Sequence, residues 1–177
     1  MKTTLQQIIE FQCPKWDDLP ETSLFNSQVV EYINQILEPI MHGEKAITST
    51  MIQNYSKWGI IPKIPGRKYG KQQIAFLIII AIYKQVLPID QVKKGIELQL
   101  KSMTIEEGYD FFVMSIEQAI QQIIVSIKKK TLYPIEGFTI QEKTEGIQAV
   151  SNAFVMKLLA TMIIEAGGYD QIGEKDE

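Results

Sequence analysis

Residues 51–86 read MIQNYSKWGIIPKIPGRKYGKQQIAFLIIIAIYKQV, and the fold depends on how this stretch divides. Met51, Ile52, Tyr55 and Trp58 recur at helical spacing, and Gly59 ends the pattern. Thr48, just upstream, is a good N-cap. The other side of this short predicted helix carries Ser49, Thr50, Gln53, Asn54 and Lys57, an uncharged polar to basic face. IIPKIPGRKY then holds two short extended pieces limited by proline. Pro65 followed by Gly66 is a strong turn signal, so a small hairpin, or wing, is expected. From Lys71 onward KQQIAFLIIIAIYKQV is apolar on almost every side, the pattern of a helix buried all round.

Working outward, Val29, Val30, Ile33, Ile36, Leu37 and Ile40 predict an amphipathic helix that ends near Gly43. Pro88 marks another helix start, with Ile89, Val92, Ile96 and Leu100 on one face. Thr104 and Glu107 form a capping box before a long helix that reaches Lys128, Lys129 and Lys130. A loop follows, then a last, very apolar helix stopped by Gly167 and Gly168. Residues 1–24 read as a poorly ordered lead-in with at most a short helix near Leu5 to Phe11. Residues 169–177 read as an acidic, frayed tail.

The net charge of -3 hides an asymmetry. Residues 1–41 carry two basic and six acidic side chains, residues 42–101 ten and three, and residues 102–177 six and twelve. A basic middle inside an acidic chain suits a localised contact with a polyanion. The competing reading docks that middle on the chain's own acidic flanks. The chain's single arginine, Arg67, sits with Lys63, Lys68 and Lys71 on the proline-glycine loop.

Several classes of chemistry drop out. Cys13 is the only cysteine, so an intramolecular disulfide and a multi-cysteine metal site within one chain are excluded. No base or basic cluster near it in sequence would activate it. His42 has no Ser, Asp or Cys partner in sequence and reads as a surface histidine. No P-loop, nucleophile elbow, dinucleotide fingerprint or metal-ligand spacing occurs. The expectation is a non-enzyme without cofactor or metal. The longest uninterrupted apolar run, Ile74 to Tyr83, is about half a bilayer span. With no secretory leader evident, a soluble cytoplasmic protein that does not meet a membrane is expected.

Helix, short helix, wing, buried helix and helix within residues 25–100 suit a winged helix-turn-helix. The short helix would enter the major groove and the wing would meet the backbone. A carboxamide such as Gln53 or Asn54 can donate to and accept from one adenine. Ser49, Thr50 and Lys57 would contact phosphate or base edges, and Lys63, Arg67, Lys68 and Lys71 would contact phosphate.

These residues carry a resemblance. The stretch from Met51 to Glu97 resembles the winged helix-turn-helix of the MerR superfamily. Tyr55 stands at the second aromatic of its recognition helix. Gly59 to Pro62 match the helix exit, Arg67 and Tyr69 match the wing, and Pro88, Ile89 and Val92 stand where its last helix begins. Gln53 replaces the usual arginine and Asn54 the first aromatic. The part after residue 100 differs from the single coiled-coil helix and cysteine-rich loop of metal sensors. The whole chain is closer still to the bacterial domain of unknown function 1836 family, regarded as MerR-like and read as DNA-binding.

The expected fold is therefore all-α with a small β wing. A MerR-like module occupies residues 25–101, and a helical pair within 102–168 completes the core or mediates dimerisation. The expected function is a DNA-binding transcriptional regulator, acting on double-stranded DNA as a homodimer, with an unknown small-molecule effector. The rival reading is an interaction or adaptor module on a winged fold that no longer binds DNA.

Overall fold

The computed structural model describes residues 5–128 and 143–168, with side chains described up to residue 125 in the first of these. The expectations for the acidic tail, for Lys129 and Lys130 and for the loop that follows them lie outside those residues. Among the described residues seven α-helices are present: α1 (Leu5–Ile9), α2 (Asn26–Leu37), α3 (Ser49–Lys57), α4 (Lys71–Tyr83), α5 (Ile89–Gln99), α6 (Ile105–Lys128) and α7 (Glu145–Ala166). Short 3-10 turns cover Trp16–Asp18 and Glu38–Ile40. The all-α architecture is as the sequence predicts.

Local chemistry accounts for most helix ends. The Thr48 hydroxyl accepts from the Met51 amide at 3.3 Å and starts α3. At the other end Gly59 takes φ +61. The Ile60 amide then reaches the Tyr55 carbonyl at 2.9 Å, which closes the helix. Thr104 and Glu107 form the expected reciprocal cap of α6, with bonds of 3.2 and 2.8 Å. Gly167 ends α7 at φ +82.

Helix α4 is the hub. Nearly every side chain from Gln73 to Tyr83 is buried, and the helix packs against α2, α5, α6 and α7. Helices α6 and α7 lie along each other and close the far side. One contiguous core runs from Leu5 to Met162.

The structure departs from the sequence reading in three places. First, the loop between α3 and α4 forms no hairpin. Its one β pairing joins Tyr69 to Leu24, through bonds of 2.9 and 2.8 Å. Pro62 and Pro65 have no amide to donate, so the first arm cannot ladder with the second. Second, the connection from α2 to α3 spans residues 38–48, far longer than a helix-turn-helix turn of about three to four residues. The Asn34 carboxamide braces it, bonding both the carbonyl (2.8 Å) and the amide (3.2 Å) of Ile47. Neither the β wing nor the winged helix-turn-helix is present in its expected form among the described residues. Third, the segment ahead of α2 is no loose lead-in. Leu5, Ile8, Phe11, Cys13 and Leu19 are buried, and α1 packs on α6.

Candidate nucleic-acid interface

Helix α3 turns Ile52 and Tyr55 into the core. Ser49, Thr50, Gln53 and Lys57 stand exposed along its outer side, and Asn54 is half-buried at the border of that stripe. Among the described residues none of these five side chains makes a hydrogen bond or ion pair within the chain.

The loop that follows is held from beneath by a residue the sequence reading passed over. Gln73 is only 6% exposed. Its carboxamide oxygen accepts from the Gly70 amide at 3.0 Å, and its nitrogen donates to the Lys63 carbonyl at 3.2 Å. Both ends of the cationic loop are thereby pinned to the first turn of α4. Pro65 and Gly66, the latter at φ +86, turn the chain between them. A glutamine three residues into a helix is a recognisable capping signal. The second bond, to Lys63, has no local signature.

The loop cations divide into committed and uncommitted groups. The Lys63 and Arg67 side chains are exposed and unpaired among the described residues. The Lys68 ammonium lies 4.7 Å from the centre of the Phe25 ring, whose residue is 50% exposed. Lys71 is different: its ammonium is 2.5 Å from Glu21 and 5.9 Å from the Trp16 ring centre. It is half-buried and neutralised, so it is poorly placed to grip phosphate.

Two other features border α3. Trp58, at its C-terminal end, is 51% exposed, with its ring 6.3 Å from that of Tyr55. The Lys93 ammonium of α5 donates to the Trp58 carbonyl at 3.2 Å. Beneath α3, Lys84 reaches the Met51 sulfur at 3.6 Å, and burial lowers its pKa below the usual lysine range while Glu44 opposes the shift. Cys13 and His42 lie elsewhere. Cys13 is buried against Tyr109, and His42 sits at φ +52 with its ring nitrogen 2.6 Å from a Glu165 carboxylate oxygen.

No group of three or more His, Cys, Asp or Glu side chains that could hold a metal ion occurs among the described residues. One described helix, α7, is long and apolar enough to cross a membrane by length and composition; a third of its apolar window is buried inside the protein. The sequence reading, which followed only uninterrupted apolar runs, passed over it.

The fold and this site define an all-helical protein with a cationic loop and an open polar helix face. The chain belongs to the family described as Domain of unknown function (DUF1836), whose model matches residues 14–136. No curated protein and no solved structure matches the chain.

Proposed function

We propose that this protein is a DNA-binding transcriptional regulator. The observation that carries the reading is the set Gln53, Lys57, Lys63 and Arg67. All four are exposed and uncommitted within the chain, yet they stand on backbone fixed by Thr48, Gly59 and Gln73. Side chains with no internal partners to give up, on backbone held by local hydrogen bonds, suit contact with a polyanion. In this reading residues 25–101 are a MerR-like variant whose proline-limited loop serves as the wing without a β ladder. Helix α3 presents Gln53 and Asn54 to base edges, with Ser49, Thr50 and Lys57 beside them.

A symmetric dimer would set two α3 helices on half-sites about one helical turn apart. The outer side of α7 suits this role. Ala149, Ala153, Met156, Ala160 and Ile164 are exposed, carry no charge and recur at heptad-like spacing. The alanines permit close approach of a second α7.

An electrophoretic titration against pooled genomic fragments tests the DNA reading, with retained fragments expected to share a sequence. The adaptor reading draws on the same face of α7. Pull-down from cell extract with and without nuclease separates the two, since only the DNA reading predicts nuclease-sensitive recovery of partners.

A further inference from the structure

A cavity of about 420 Å³ opens between α4, α5, α6 and α7. Its volume falls in the usual range for small-molecule sites, and its walls are mainly apolar. Phe76 and Ile79 come from α4, Val92 and Ile96 from α5, and Ile105 and Phe112 from α6.

Three helical glycines converge here. Gly95 in α5, Gly108 in α6 and Gly146 in α7 are the only glycines inside helices among the described residues, and all three line the cavity. A glycine within a helix costs about 1 kcal/mol relative to alanine. A Cβ at Gly95 or Gly146 would meet no atom within 4 Å, so close packing does not require glycine at either place. At Gly95 and Gly146 the absent side chain leaves open space, while at Gly108 a Cβ would stand in ordinary contact with Met103.

We propose that this cavity binds a small amphiphile with an apolar body and one anionic end. The mouth supplies the complementary charge: Lys101 and Lys143 are exposed and their ammonium groups are uncommitted among the described residues. Among the described residues Glu145 is the one acidic residue in the lining.

Helix α5 is the wall that yields most easily. Val92 is its only buried residue, and Leu98 is 67% exposed. Its polar ties to other elements are few. The Gln99 carboxamide nitrogen donates to the Lys143 carbonyl at 2.8 Å, and Lys93 holds the Trp58 carbonyl. A ligand that displaces α5 therefore pulls on the end of α3. Occupancy stands on the cavity alone; its consequence for α3 rests on the DNA reading.

The test is a fluorescence titration of the full chain with anilinonaphthalene sulfonate, an apolar aromatic with one anionic group, in the absence of DNA. Saturable binding of one probe per chain is expected. Gly95→Leu and Gly146→Leu, which fill the cavity, should each weaken it at least tenfold, and Glu31→Gln, exposed on α2 outside the cavity lining, should leave it unchanged. Absence of saturable binding, wild-type affinity in the filled variants, or loss of binding in Glu31→Gln would each overturn the proposal. Should the glycine variants lose their cooperative melting transition, the exposed Lys101→Ala, Lys143→Ala double variant decides. Severalfold weaker binding supports the site, and unchanged affinity refutes it.

Discussion

Gly59 and Gln73 set the exit of α3 and the seat of the loop, by different means. Gly59 acts through its backbone alone: at φ +61 a Cβ would touch nothing within 4 Å, so any penalty comes from the left-handed conformation. Gly59→Ala should cost about 1 kcal/mol and lower the melting temperature by roughly 2–4 °C. Calorimetry checks this, and an unchanged transition would count against the closure of α3 described above. Gln73 acts through its carboxamide, and Gln73→Leu leaves the Gly70 amide and the Lys63 carbonyl without their partner. Both bonds are only part-buried, so a loss of about 1 kcal/mol is expected, with faster amide exchange confined to residues 63–70. The caps at Thr48, Gly59 and Thr104 were legible in the sequence because each partner lies within a few residues. The tie from Gln73 to Lys63 and the pairing of Lys71 with Glu21 were not, because they depend on which segments fold together. Glu21 lies fifty positions from Lys71.

That pairing gives a prediction at the scale of the element. If the loop binds phosphate, Arg67→Ala should reduce the slope of log affinity against log salt by about one unit. Lys71→Ala should change it much less, because Glu21 already neutralises that ammonium. Equal losses in anisotropy titrations would mean that Lys71 leaves Glu21 for DNA. The loop also shows where a pattern misleads. Proline and glycine signalled a turn correctly, but the same prolines deprive a hairpin of donors, so Tyr69 pairs with Leu24 instead. For α7, length and apolarity were legible beforehand, while only packing separates the buried face of Phe154, Val155 and Leu158 from the exposed face ending in Ile164. With Ile164 78% exposed, Ile164→Glu costs little in folding. It should convert a dimer to a monomer in sedimentation equilibrium; a chain already monomeric at micromolar concentration would remove α7 as the dimer surface.

Across the whole molecule, the core holds groups that resist ionisation. Burial pushes the Cys13 thiol up to about 12; a hydrogen bond with Tyr109 works against this and the Glu117 charge adds to it. Burial likewise raises Tyr83 and Tyr109 above the ordinary phenol range. The unfolded chain releases these protons near its ordinary thiol and phenol values, about 8.5 and 10, while the folded chain keeps them. Stability is therefore complete below about pH 8.5 and falls as the pH rises toward 12. Urea midpoints at pH 8 and pH 10.5 should differ in that sense, and Cys13 should resist alkylation until the protein unfolds. The helical class, the central α4 and the basic middle could be read from periodicity and charge. The cavity, the buried N-terminal segment and the division of the loop cations could not, because each arises where distant segments meet. The central claim is that the uncommitted cations beside α3 hold DNA. Fluorescence anisotropy at low salt, comparing the wild type with a Lys63→Ala, Arg67→Ala variant on duplex DNA, tests it most directly. The account predicts wild-type binding at least tenfold tighter than that of the variant; equally weak binding by both would contradict it.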